Sequence, residues 1–170
     1  MSDRILLTAT RHDCWANVQL IAFCSDLSPA QLAWTVPGTY GSIHATLQHI
    51  VGAEQGYLRH LTGEFPPRGP FTPGQALVAL DELRERARSN AERMERHLAS
   101  DDDPSLRIEW KGENFTAAVV AAQFVHHGSD HRTHMETILG GHGVSRPELD
   151  LDVWMYGVRV GELILPPPQT

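Results

Sequence analysis

Nine consecutive residues carry the densest chemistry in the chain: His126-His127-Gly128-Ser129-Asp130-His131-Arg132-Thr133-His134. On a helix, residues four apart stack on one face, about 40° apart around the axis. His127 and His131 then aim two imidazoles at one point, which is how a helix closes on a metal ion. At about 100° per residue, Val120, Phe124 and Ile138 fall within about 60° of His127. The pair therefore belongs to an apolar, inward face, whereas His126 lies about 100° away at its edge. A buried imidazole must be hydrogen-bonded or must ligate something. Two satisfied core histidines are the plain alternative, because His-x-x-x-His without an intervening Glu lacks the zinc-protease signature.

A third ligand must come from another segment. Between Ser42 and Leu61 the chain offers His44, His49 and His60. His49 shares its face with Ser42, Ala45, Thr46, Ala53 and Gly56, small residues that leave room for a cavity. His44 points nearly opposite to Ala53 and is expected at the surface, and His60 lies three turns on, towards the end of the helix. His49, His127 and His131 are thus the candidate metal ligands. The chain has no Glu-x-x-His, so a di-iron carboxylate site is not expected. Three imidazoles leave at least one open coordination position, a catalytic rather than a structural arrangement. One divalent ion there would lower the pKa of a bound water or thiol. Zn²⁺ is the first candidate for three imidazoles and Ni²⁺ the next, since histidine binds both. No side chain stands out as a general base, so no catalytic residue is assigned beyond the metal centre.

The elements that must position these residues read as helices punctuated by Pro and Gly. A first helix is expected from about Asp3 to Asp26. Ser28-Pro29-Ala30-Gln31 starts only a short turn, because Pro37-Gly38 follows. A second helix should run from Ser42 to about Leu61, stopped by Gly63 and Pro66-Pro67. Thr72-Pro73-Gly74-Gln75 predicts the start of a third, with Leu77, Leu80, Leu83, Ala87, Met94 and Leu98 as its apolar stripe. That helix should end near Ser100, and the mixed charges on its other face read as a solvated surface. Leu106 to Trp110 alternates and Lys111 to Asn114 reads as a turn, which predicts a short strand or hairpin. The histidine helix should span about Phe115 to Leu139 and stop at Gly140-Gly141. A last short helix from Leu151 to Val160 is expected with Asp150 as cap and Leu151, Trp154, Met155 and Val158 facing in. The whole is an all-α four-helix bundle. It forms one domain over residues 1–165, with a Pro-rich tail at 166–170.

Composition supports that reading. The 170 residues are 41% hydrophobic and 21% charged, enough for one domain that buries roughly 70% of its unfolded surface. Ten histidines stand against 14 Lys plus Arg, of which Lys111 alone is lysine, and the net charge is −7. The deficit of cations argues against nucleic-acid partners. No stretch approaches the roughly 18 apolar residues of a membrane span, and Ile5-Leu6-Leu7 is too short for a signal-peptide core. Cys14 and Cys24 lie on one helix, about 15 Å apart, too far for a disulfide. Reduced thiols and a cytoplasmic location are the expectation; each thiol is either buried and inert or reactive.

Three segments resemble the DinB/YfiT-like family of metalloenzymes. Arg11-His12-Asp13-Cys14-Trp15-Ala16-Asn17 is similar to its first-helix Trp-Ala-Asn. Gly41 to Glu54 is similar to its Ser-Ile…Leu-x-His-Ile/Leu…Ala-Glu segment. His126-His127-Gly128-Ser129-Asp130-His131-Arg132 is similar to its His-Gly-x-x-His-Arg. The resemblance, which with Gly140-Gly141 and the Asp150–Trp154 segment covers nearly the whole chain, implies an up-up-down-down bundle, a homodimer, and one divalent metal on His49, His127 and His131. Characterised members are thiol S-transferases or thiol-dependent isomerases. The resemblance therefore implies a stress or detoxification role, in which a low-molecular-weight thiol attacks a small electrophile held in the cavity. A metal-dependent hydrolase and a non-catalytic metal- or ligand-binding bundle are the alternatives. The family often has Gln where this chain has His134, and His or another polar residue in place of Asp130. His134, within about 20° of His127's direction, is expected to line the cavity or hydrogen-bond a ligand. Asp130 would orient a ligand or stand solvated. Arg132 would contact an anion in the cavity or form a structural ion pair.

Overall fold

The protein is described from a computed structural model over residues 2–71, 75–100, 103, 105–144 and 151–161. Its elements in chain order are α1 (Ser2–Cys24), α2 (Pro29–Leu32), α3 (Ile43–Thr62), α4 (Leu80–Leu98), β1 (Arg107–Trp110), β2 (Glu113–Thr116), α5 (Ala117–Gly141) and α6 (Val153–Val160). Local chemistry explains most of their ends. The Ser28 side chain accepts from the Gln31 amide while the Gln31 side chain accepts from the Ser28 amide, so α2 opens on a full capping box. Ser42 caps α3 through the Ala45 amide, and Gly63 ends it at φ 72°. That left-handed C-terminal residue is a position that favours glycine. Between β1 and β2 a two-residue turn, Lys111-Gly112, has φ of 54° and 81°. Two positive φ values are what a tight hairpin turn needs to match the strand twist. The strands pair Trp110 with Glu113 and Arg107 with Thr116, so Glu113 and Asn114 belong to β2 rather than to the turn.

One helix starts later than its sequence signals suggest. Residues 72–74 lie outside the described residues, and residues 75–79 are not helical; α4 begins at Leu80. The cause lies on α3. The Val78 amide donates to Gln48 Oε1 at 2.8 Å, Gln48 Nε2 donates to the Ala76 carbonyl at 3.4 Å, and His44 Nε2 donates to the Val78 carbonyl at 2.7 Å. These bonds hold the segment extended against α3. They also leave His44 half-buried, not at the surface, and put Leu77 outside the apolar stripe, 48% exposed.

The four long helices form the expected all-α bundle, with the hairpin before α5 and a short C-terminal helix. α1 packs on α4 and α5, and α3 packs on the same two, so α1 and α3 are diagonal. The core has two layers. One joins the C-terminal half of α1 (Leu20, Ile21) and of α5 (Met135, Ile138) to the N-terminal halves of α3 and α4 (Leu47, Leu83). The other joins Cys14 and the start of α5 (Val120, Phe124) to the ends of α3 and α4 (Leu58, Met94). The helices therefore run up-down-down-up, and the up-up-down-down order implied by family resemblance is corrected. The link from α1 to α3 (residues 25–42) and the link through the hairpin to α5 (residues 99–116) each reverse the chain. The stretch between α3 and α4 (residues 63–79), no longer than these, instead travels back along the bundle, so those two helices run parallel.

The C-terminal helix has a different phase from the expected one. Asp152, not Asp150, caps α6 through the Met155 amide; Asp150 lies outside the described residues. Leu151 is buried as expected, but Trp154, Met155 and Val158 face solvent, Trp154 at 75% exposure. Tyr156 faces in, edge-on to His12 at 5.9 Å and tilted against Trp15 at 5.7 Å. His12 Nε2 donates to the Leu151 carbonyl at 2.7 Å, which ties the approach to α6 onto α1 and sets its rotation. Cys14 and Cys24 are buried and free; burial pushes the Cys24 thiol up to about 12 and the Cys14 thiol well above its ordinary value. Both are therefore protonated and inert. No helix among the described residues is long and apolar enough to cross a membrane. The tail at 166–170 lies outside the described residues.

Candidate metal centre

Because α3 and α5 are antiparallel neighbours, His49 on one faces His127 and His131, one turn apart, on the other. His49 Nε2 and His127 Nε2 lie 3.0 Å apart. The ring centroids stand 4.9 Å (His49–His127), 4.6 Å (His49–His131) and 4.4 Å (His127–His131) apart. One nitrogen from each ring falls within 4.8 Å of the other two, close enough to hold one metal ion. His131 is buried, and His49 and His127 are half-buried.

The electrostatics suit ligands. Burial, reinforced by the neighbouring imidazole of His131, pushes His49 down to about 4. His127 is likewise pushed to about 4, first by burial and then by His131 and His49. His131 is lowered by burial and by His134. Neutral imidazoles at neutral pH keep the lone pairs that a metal needs. His131 Nδ1 is also buried with no hydrogen-bond partner. A buried polar atom left alone is costly, and an ion or a ligand at this cluster is the kind of partner that resolves it. The donor set, three imidazoles with no carboxylate or thiolate among them, fits a divalent ion such as Zn²⁺ with an open position.

Beneath the cluster runs a polar network that sequence reasoning did not assemble. Arg132 Nη1 donates to Asp13 Oδ1 at 2.5 Å and to Asn17 Oδ1 at 2.7 Å. Asn17 Nδ2 donates to Glu54 Oε1 at 2.6 Å, and Asn90 Nδ2 donates to Glu54 Oε2 at 2.9 Å and to the Val51 carbonyl at 3.1 Å. All five side chains are buried. Burial outweighs the Arg132 charge and pushes Asp13 up to about 6. Burial, then the Asp13 charge, pushes Glu54 up to about 8. The network joins α1, α3, α4 and α5 directly behind the ligands, since Arg132 follows His131. Its signal in the sequence was two polar residues, Asp13 and Asn17, on the face of α1 that also carries Ala16 and Leu20.

Gly128 belongs to the same construction. A Cβ there would lie 2.4 Å from Asp13 Oδ1 and 2.7 Å from Oδ2. The His-Gly-x-x-His spacing thus combines two ligands with a gap that admits the Asp13 carboxylate.

The remaining candidates separate clearly. Arg132 sits in the buried ion pair and does not line the ligand cluster. His134 is half-buried, 5.3 Å from the His131 ring, with its Nδ1 buried and unpartnered. It stands outside the three-imidazole cluster and instead groups with His131 and the exposed Asp130. His60 lies 5.5 Å from Trp110 beside the hairpin, and His142 stacks on Trp34 at 4.2 Å. Two aromatic rings that the sequence did not flag press on the ligands. Tyr40 stacks on His49, and Tyr57 meets His127 edge-on at 5.6 Å.

A family model described as the DinB superfamily matches residues 14–135, a span that holds all three imidazoles together with Asn17, Glu54, Asn90 and Arg132. No curated protein matches the chain.

Proposed function

The chain belongs to the DinB superfamily, and from that footing we propose that it is a metal-dependent thiol S-transferase, joining a low-molecular-weight thiol to a small electrophile. The observation that carries the reading is the convergence of His49, His127 and His131 as three neutral, partly desolvated imidazoles from two helices. A divalent ion bound there, Zn²⁺ before Ni²⁺, supplies a Lewis acid that favours the thiolate form of a thiol at neutral pH.

The chain's own residues supply position. The Arg132–Asp13–Asn17–Glu54 network braces α5 against α1 and α3, so the two histidines on α5 keep their separation from His49. The half-burial of His49 and His127 opens the cluster to small molecules on one side. Buried Tyr57 meets His127 edge-on at 5.6 Å and packs on buried Phe124 at 6.4 Å, which joins the cluster to the core. In the overall reaction a C–S bond forms, the electrophile's leaving group departs with its bonding electrons, and the thiol proton passes to solvent.

The test combines metal analysis with turnover. The purified protein should carry one divalent ion per chain, and His49→Ala should lose it. Monochlorobimane with glutathione, bacillithiol or mycothiol should give a fluorescent conjugate, with chloride released, only in the metal-loaded protein. Metal bound without turnover on any thiol would favour hydrolysis or simple binding. Full metal occupancy in the His127→Ala, His131→Ala double variant would overturn the site.

A further inference from the structure

We infer that Tyr40 selects what reaches the three imidazoles, favouring molecules that carry a flat aromatic group next to the reacting sulfur. This rests on the metal-centre reading above and deepens it to a substrate class.

Tyr40 lies between α2 and α3, on a segment held to the C-terminal end of the histidine helix. Trp34 stacks face-to-face on His142, with centroids 4.2 Å apart and planes 4° apart. Val36 packs so closely on Gly141 that a Cβ there would come within 3.2 Å of it. Inside the segment the Thr39 amide and hydroxyl both donate to the Val36 carbonyl, at 3.2 and 2.7 Å, and Gly38 takes φ 90°. The Ile43 amide donates to the Trp34 carbonyl at 3.2 Å and closes the loop. With both ends pinned, the loop delivers the Tyr40 ring onto the ligand set. It stacks on His49 at 4.0 Å with an 18° interplanar angle and meets the His131 edge at 5.1 Å.

Exposure gives the ring its role. Of the two tyrosines against the imidazoles, Tyr57 is 8% exposed and belongs to the core, while Tyr40 is 52% exposed. A ring that packs one side on a ligand and turns the rest to solvent is the surface an incoming molecule meets first. Aromatic rings prefer offset-stacked or edge-on partners, and one such contact changes affinity by about three- to tenfold. An aryl or benzyl group beside the sulfur gains that contact; a short alkyl chain does not.

The test is a titration of the cobalt-substituted protein, in which thiolate binding gives a sulfur-to-cobalt charge-transfer band. Benzyl mercaptan and 2-mercaptoethanol are compared in the wild type, Tyr40→Phe and Tyr40→Ala. The ratio of the two dissociation constants, compared between proteins, cancels the difference in thiol acidity. Tyr40→Phe should keep the wild-type ratio, and Tyr40→Ala should shift it about three- to tenfold towards the alkyl thiol. An unchanged ratio in Tyr40→Ala, or equal tightening of both thiols as expected of a mere cover, overturns the inference and leaves the metal centre standing. Failure of the wild type to take up cobalt overturns both. In the metal-free protein, the His49 ring protons should move downfield in Tyr40→Ala and stay in place in Tyr40→Phe. An unmoved His49 signal in the alanine variant refutes the stacking itself.

Discussion

Replacing Gly128 with alanine sets two effects of opposite sign against each other. Gly128 lies inside α5, where alanine is the better helix former by about 1 kcal/mol. On that basis alone the variant would be the more stable protein. The structure reverses the sign. The new methyl would lie 2.4 Å from Asp13 Oδ1, 2.7 Å from Oδ2 and 2.8 Å from the carboxyl carbon. Asp13 has no room to yield: it is 0% exposed and held by Arg132 at 2.5 Å. Ordinary overpacking costs about 1–3 kcal/mol, and separating a buried ion pair approaches about 3–5 kcal/mol. A partial displacement of Asp13, offset by the helix gain, leaves a net loss of about 2–4 kcal/mol. For a chain of this size that lowers Tm by roughly 10 °C. Thermal and urea denaturation of the metal-free proteins measure it directly. A Gly128→Ala variant as stable as the wild type, or more so, would refute the close packing of Asp13 on α5 and the network drawn from it.

Two further predictions follow from buried and exposed groups. Glu54 holds its proton up to about pH 8 in the fold against an ordinary value of 4.5. The folded state thus binds more protons than the unfolded state between those values, and this contribution to stability is full below pH 4.5 and lost as pH rises through about 8. The slope of stability against pH between 5 and 8 should therefore be flatter in Glu54→Gln, whatever its absolute stability, in urea titrations; an identical slope would fault the assignment. On α6, Tyr156→Ala should cost about 2 kcal/mol or more, because the ring packs on His12 and Trp15. Trp154→Ser should stay within about 0.5 kcal/mol in the isolated chain, and the reverse ranking would restore the phase expected from hydrophobicity alone.

Much of the site could be read before any fold was known. His127 and His131 are one helical turn apart, and Val120, Phe124 and Ile138 mark their face as inward; all three are buried. His49 followed from its small neighbours. The helix ends at Ser28, Ser42 and Gly63 and the hairpin around Lys111-Gly112 were legible for the same reason: each depends on side chains and φ values within a few residues. The late start of α4 was not, because Gln48 and His44, some thirty residues earlier, hold residues 76–78 extended. Nor was the face of α6, where the exposed Trp154 and Val158 carry the apolar signal and a backbone bond to His12 sets the rotation.

Local spacing was enough to place the helical elements and to pair the two imidazoles on α5, since the α-helix repeats every 3.6 residues wherever it forms. Family resemblance implied the same three ligands, His49, His127 and His131, but not their directions in space. Tertiary structure alone decided that the bundle runs up-down-down-up, and that Arg132 meets Asp13 and Asn17 instead of the ligand cavity. It also decided that Tyr40 lies on His49. These are contacts between segments distant in the chain. They depend on how whole helices bury their apolar faces against one another, which no local spacing encodes.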